Sequence, residues 1–257
     1  MSAKRRAIFA SHTIDGKLKT AILRHMPRIS EISRPSLRTV VLAVLVLFVL
    51  NIARYAIWPP VSGLATNAPE TTAFMEYRKD EWRAKGQKNT VSHIWKPLNA
   101  ISPHLAKAVV VAEDSTFWSH SGFDLTGIRE AMMRNLARGR LAAGGSTITQ
   151  QLAKNLYFSP EKSFIRKFQE AFVAIRLELS LPKERILEVY LNCVEWGDGI
   201  FGAEAAAQHH FGVGAARLTA NQSARLAVIL PSPRRLSVNS PWVRERARTI
   251  QARMRIE

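Results

Sequence analysis

The chain has 257 residues, enough for one substantial domain and a short extra element. Lys and Arg number 37 against 20 Asp and Glu, a net charge of +17, which calls for an anionic partner: nucleic acid, anionic lipid or a phosphorylated substrate. A single cysteine, Cys193, excludes an intrachain disulfide and reads as a buried thiol.

Residues 1–38 form a basic tail in which nine Lys and Arg stand against Asp15 and Glu31. Thr39–Trp58, TVVLAVLVLFVLNIARYAIW, follows as a 20-residue apolar run interrupted only by Asn51 and Arg54. As a helix it spans about 30 Å, the hydrocarbon thickness of a bilayer. Tyr55 and Trp58 fall where an interfacial aromatic belt belongs. The run predicts an uncleaved transmembrane anchor over 39–58; the basic flank is too long for a signal peptide, and no small-x-small site directly follows. The positive-inside rule keeps the tail in the cytoplasm and puts residues 59–257 on the outer face. That outer part carries 27 basic and 18 acidic residues, still a net +9. Facing the outer leaflet and lacking any nucleic-acid-binding fingerprint, it excludes nucleic acid as the partner.

Residues 59–89, opening with PPVSGLATNAPETT, read as a juxtamembrane linker. From residue 90 to 257 the patterning is helical, without repeats or convincing strand alternation, so the expected fold class is mainly α. His104–Glu113 places Leu105, Ala108, Val109 and Ala112 on one stripe. Leu125–Arg140 reads as a second helix, and Gly144–Gly145 breaks the chain. Ser146–Tyr157 resumes helix with Ile148, Leu152 and Leu156 in line. Ser159–Pro160 is the expected N-cap of a helix whose Ile165, Phe168, Phe172, Ile175 and Leu179 face the core. Pro182 opens a helix through Ile186, Leu187, Tyr190 and Leu191. Thr219-x-x-Gln222 resembles a capping box, and Ser240–Pro241 starts a last, basic helix.

Three stretches can carry chemistry. Glu113 lies four residues past Val109, so it continues an apolar face, where desolvation raises a carboxylate toward the range of a general base or acid. The plain alternative is a helix-end Glu that turns to solvent or pairs with a Lys. Asp114 is expected to accept backbone N–H groups of the following turn, and Phe117 and His120 to pack or hydrogen-bond. A metal site from Glu113, Asp114 and His120 lacks a recognised ligand spacing. In Gly144–Asn155, two glycines followed by Ser and Thr at a helix start offer backbone N–H groups to an anion. Thr147, Gln151 and Lys154 share a polar face there, and a Lys on it reaches a phosphate as a point charge. In Lys162–Glu170, Arg166 and Lys167 stand one turn from Glu170, which by itself describes an ordinary ion-pair network.

The runs EDSTFWSHSGFD, GGSTITQQLAKN, RKFQE and KERILEVYLN, followed by VEWGDGIFGAEAAAQHHFG, together resemble the glycosyltransferase family 51 domain of bacterial peptidoglycan synthases. The motifs occur in the family's order and cover about Ile101 to Pro241. No Ser-x-x-Lys penicillin-binding domain follows, so the chain resembles the monofunctional members. The resemblance implies a lysozyme-like α fold with a small membrane-associated jaw near residues 123–165. It implies polymerisation of lipid II: the growing glycan on undecaprenyl pyrophosphate is transferred, with inversion, to the GlcNAc 4-hydroxyl of lipid II. Glu113 then matches the catalytic base and Glu170 the second essential Glu. Ser146, Gln151, Lys154, Lys162 and Arg166 match substrate-binding positions, with Lys154 and Lys162 candidates for the donor pyrophosphate. Glu130 departs from the basic or neutral residue expected on its helix. No cofactor is required and no protein metal cage is expected; a divalent cation, Mg²⁺ or Mn²⁺, is expected to stimulate at the pyrophosphate. Expected partners are lipid II, the nascent glycan, the cytoplasmic membrane, and proteins of cell-wall synthesis or division. The alternatives are a lysozyme-like lytic enzyme, against which the anchor and phosphate-seeking cations argue, and an inactive lipid II-binding scaffold.

Overall fold

The computed structural model describes residues 35–139, 145–161 and 163–256. Residues 1–34 of the basic tail, Gly144 and Lys162 therefore lie outside the described residues. The chain divides into two compact units, residues 1–48 and 49–257. Of the first, the described part is almost entirely the start of helix α1, Leu37–Ala53, which continues through a 3₁₀ turn at Arg54–Ala56. This 20-residue stretch, Leu37–Ala56, is long and apolar enough to cross a membrane once.

The second unit is mainly α. Helix α2 spans Ala73–Ala84, α3 Pro103–Glu113, α4 Leu125–Arg138 and α5 Ile148–Tyr157. Helix α6 spans Phe164–Ser180, α7 Lys183–Cys193, α8 Ala203–Phe211, α9 Ala220–Ile229 and α10 Pro241–Met254. Helix α3 packs on α9 and α10, and α5 packs on α6 and α7. Between these pairs lies one apolar core built from Leu105, Val109, Ile148, Leu152, Leu177, Ile186 and Leu187, all essentially inaccessible. The capping box at Thr219 and Gln222 is present, as is the Ser240 cap with Pro241 in the first turn.

Four expectations are corrected. First, the segment 59–89 is not a free linker. It holds helix α2, capped by Thr72, and buries Val61, Leu64, Phe74, Met75 and Trp82. Arg78 of α2 makes a buried two-point pair with Glu195, at 2.7 and 2.8 Å. Second, a small sheet exists. Ser92–His93 (β1), Glu195–Gly197 (β2) and Ile200–Phe201 (β3) pair in the order β1-β3-β2, with β1 parallel and β2 antiparallel to β3. Such short strands leave no room for alternation in the sequence. The β2–β3 turn needs Gly199: its φ is +75°, and a Cβ there would meet Trp82 Cη2 at 2.3 Å. Third, α6 begins at Ser163, whose hydroxyl accepts from Arg166 N–H, not at Ser159–Pro160. Fourth, α6 is turned the other way round. Ile165, Phe168, Phe172, Ile175 and Leu179 are exposed, Phe168 by 57 % and Leu179 by 81 %, whereas Gln169, Glu170, Val173, Ala174 and Leu177 are buried.

Candidate active site

Pro103 in the first turn and the stripe Leu105–Ala108–Val109 set α3 into the core, and this fixes where the helix ends. Its last residue is Glu113. The carboxylate lines a polar cleft of about 300 Å³ together with Asp114, Asp124, Glu130, Arg134, Ser146, Thr147 and Arg253. Its Oε2 accepts a hydrogen bond from Gln151 Nε2 at 2.8 Å. Burial raises the pKa of Glu113; the Gln151 bond and the Lys154 charge pull the other way, and the Asp114 charge adds to the rise, with the net direction upward. Glu113 therefore stays inward instead of turning to solvent.

Asp114 is a joint, though not of the turn that follows it. Its carboxylate takes the Ile148 N–H at 2.9 Å and His120 Nε2 at 2.9 and 3.1 Å. His120 Nδ1 in turn accepts from Gly122 N–H at 3.1 Å, so the proton of a neutral ring sits on Nε2 and points at Asp114. Phe117 is fully buried beside this pair. The Gly122 carbonyl accepts from Thr147 Oγ1 at 2.7 Å, with Gly122 at φ +91°.

Three N–H groups at the start of α5 already have protein acceptors. Thr147 and Gln150 close a capping box, each side chain taking the other's backbone N–H at 3.2 Å, and Asp114 takes the N–H of Ile148. Protein oxygens thus occupy the donors that Gly145 and Ser146 lead into. What α5 offers a substrate is its side chains. Gln151 reaches Glu113, and Lys154 lies largely buried with its ammonium 5.3 Å from the centre of the Phe74 ring. Burial lowers the Lys154 pKa, while the charges of Glu170 and Glu113 support its cation and those of Arg166 and Lys167 oppose it.

On α6, Glu170 is 2 % exposed. Arg166 Nε stands 3.0 Å from Glu170 Oε1 as an ion pair without hydrogen-bond geometry, which leaves both atoms buried and unbonded. Arg166 Nη1 donates to the Ser159 carbonyl. Lys167 Nζ lies 3.4 Å from Glu170 Oε2 and donates to Ser146 Oγ at 2.8 Å. The structure thus groups Glu113 with Gln151, and Glu170 with Arg166, Lys167 and Ser146, with the Lys154 charge acting on both carboxylates. Lys162 lies outside the described residues. Glu130 pairs with Arg134 at 3.1 Å on the exposed side of α4.

Among the described residues no group of three His, Cys, Asp or Glu is arranged to hold a metal ion. Asp114 and His120 are bonded to each other, so the trio with Glu113 does not fit a metal. Cys193 is buried, with its thiol pushed up to about 12, and it packs.

Three contributors escaped sequence reasoning. Tyr190 looked like one more core position of α7, yet its hydroxyl donates to Gln151 Oε1 at 2.8 Å; a tyrosine on an otherwise aliphatic stripe is the signal, since a buried phenol needs a partner. Arg253 of the last helix lines the cleft, and nothing in a basic helix marks that one residue. Phe74 lay in what read as linker.

Residues 81–255 match the transglycosylase family. The chain is 52% identical over 187 residues to the biosynthetic peptidoglycan transglycosylase of Aromatoleum aromaticum, covering 72% of this chain and 81% of that one. It is 48% identical over 188 residues to that of Nitrosospira multiformis, with 72% and 82% covered. With that of Paraburkholderia xenovorans it shares 46% over 206 residues, with 79% and 82% covered. A match that takes in the Glu113 cleft, the α5 and α6 cations and the β2–β3 hairpin, carried by relatives aligned over most of their length, makes this chain a member of the transglycosylase family.

Proposed function

We infer that the protein is a peptidoglycan glycosyltransferase that polymerises glycan strands from lipid II. The observation that carries this reading is the pairing of an inward, desolvated Glu113 with a cluster of cations around Lys154, Arg166 and Lys167. A base and a bed for a departing anion are what this transfer needs. The GlcNAc 4-hydroxyl of lipid II attacks the anomeric carbon of the donor MurNAc from the face opposite the leaving group. Its proton passes to Glu113, the new C–O bond forms, and the bond from the anomeric carbon to the pyrophosphate oxygen breaks. Undecaprenyl pyrophosphate leaves with the electron pair, and the configuration inverts. Lys154 and Arg166 stabilise the pyrophosphate charge, joined by Lys162. Glu170 holds the Arg166 and Lys167 side chains in place, and Ser146 and Gln151 line the acceptor side.

The protein supplies no cofactor. No protein ligand set for a metal is proposed; a divalent cation, Mg²⁺ or Mn²⁺, would supply positive charge at the substrate's own pyrophosphate, as a stimulant and not a requirement. The apolar helix Leu37–Ala56 anchors the chain in the bacterial cytoplasmic membrane, with the basic tail inside and the catalytic unit on the periplasmic face. Proteins of cell-wall synthesis or division are its expected protein partners.

The test is polymerisation of labelled lipid II by the detergent-solubilised full chain beside Glu113→Gln. The wild type is expected to make long glycan and the folded variant to lose at least about 100-fold in rate, the scale of a general base. Full activity in the variant removes Glu113 from the mechanism. Shortening of preformed glycan would identify a lytic enzyme, and lipid II binding without turnover a scaffold.

A further inference from the structure

We propose that Tyr190 is a positioning residue for the base: its hydroxyl locks the Gln151 amide in the orientation that donates to Glu113 Oε2, so that the acceptor's proton is received on Oε1. This rests on the reading of Glu113 as general base. Two hydrogen bonds of 2.8 Å run in series, from Tyr190 Oη–H to Gln151 Oε1 and from Gln151 Nε2–H to Glu113 Oε2. Their direction is forced. An ionised carboxylate only accepts, so Gln151 must turn its amide nitrogen toward it, and its oxygen then needs a donor. Tyr190 is that donor, and it keeps its proton: burial, with the negative charges of Glu113 and Asp114, holds the phenol well above its ordinary value. No hydrogen bond to Glu113 Oε1 occurs among the described residues, so this is the oxygen left to the cleft.

Tyr190 itself is 1 % exposed and does not line the cleft, so its hydrogen-bonded link to Glu113 runs through Gln151. The other charged groups facing Glu113 are Asp114 at the end of its own helix and Lys154 of α5. Across the cleft stand Asp124, Glu130 and Arg134 of the α4 side and Arg253 of α10. The Gln151 backbone is fixed by its own helix, which leaves the amide plane as the one loose element, and an amide turned by half a revolution would present its oxygen to the carboxylate.

The experiment uses the detergent-solubilised full chain and three variants, Tyr190→Phe, Gln151→Leu and the double. In Tyr190→Phe, kcat for lipid II polymerisation at neutral pH is expected to fall about tenfold, part of a general base's worth, with KM unchanged. The acidic limb of the rate profile moves to higher pH, because a carboxylate that loses a donated hydrogen bond ionises less readily. Gln151→Leu shows the same displaced limb, and the double variant is no worse than Gln151→Leu alone. Infrared titration of the Glu113 carboxyl, assigned by difference against Glu113→Gln, reads the same displacement without turnover. An unmoved titration in folded Tyr190→Phe, or additive losses in the double variant, overturns the proposal. If Tyr190→Phe does not fold, an unmoved Glu113 titration in Gln151→Leu overturns it equally. A displaced titration in a protein that makes no glycan would uphold the Tyr190 linkage while sinking the polymerase reading.

Discussion

Glu113 is held against its own preference, and this has a cost that can be measured. Its folded-state pKa lies above that of the unfolded chain, so the folded protein binds this proton more tightly. Stability from this group is present at low pH, declines as pH rises from the ordinary glutamate range through the raised value, and is constant above it. Gln has no proton to lose and can still accept from Gln151. Glu113→Gln should therefore melt higher than the wild type at pH 7, by about 2–4 °C for each kcal/mol relieved, and the gap should close toward acid pH. Thermal unfolding of both proteins across pH checks it, and a variant that melts lower at pH 7 would mean that the carboxylate stabilises the fold. The position of Glu113 on an apolar face was readable in the sequence because a helix period fixes which residues share a side. The bonds of Asp114 were not, since the Ile148 N–H comes from 34 residues away and no local pattern announces it.

Elements announce their ends more clearly than their orientation. The capping boxes at Thr147 and Thr219 follow from local spacing, and the one at Thr219 was legible in advance. The face of α6 was misjudged for a physical reason. Periodicity gives the angle between apolar residues but not the medium they meet, and an apolar stripe points outward when the outside is lipid. Helix α2 was missed because a run dense in Lys, Arg, Asp and Glu shows little apolar periodicity, yet Phe74, Met75, Arg78 and Trp82 bind it to the core. Phe74 of α2 and the Thr147 cap of α5 give one expectation each. Phe74→Leu keeps apolar volume but removes the ring under Lys154, a contact worth about 0.5–2 kcal/mol, so kcat/KM should fall roughly two- to thirtyfold with Tm nearly kept. Unchanged kinetics would leave Phe74 as packing alone. Thr147→Ala loses both the cap and the bond to the Gly122 carbonyl, and should cost about 1–2 kcal/mol in denaturant unfolding.

At the scale of the whole molecule, α6 buries Gln169 and Glu170 beside Val173, Ala174 and Leu177 and turns a second apolar stripe outward, unlike a helix on a water-soluble domain. Phe164, Ile165, Phe168, Phe172, Ile175 and Leu179 line its outer side, and α4 exposes Leu125, Met132, Met133 and Leu136. In water such surface would be an aggregation liability. The inner side of α6 explains where it lies. Gln169 Nε2 donates to Asn51 Oδ1, and Arg176 Nη1 donates to the Tyr55 carbonyl, both partners within the last turns of the apolar span Leu37–Ala56. A helix bonded to the end of a membrane-crossing span is expected at the level of the bilayer, where its apolar stripe would meet lipid. Glu170, one residue past Gln169, pairs with Arg166 and Lys167 on that same helix, so the cations proposed for a lipid-linked pyrophosphate are expected beside the bilayer. The full chain reconstituted in vesicles should therefore be marked by a carbene photolabel released inside the hydrocarbon at Phe168, Phe172, Ile175 and Leu179, and spared at Val173 and Leu177 one face away. Labelling confined to α1 would place α6 in water and break the link between its orientation and the delivery of substrate to Glu170.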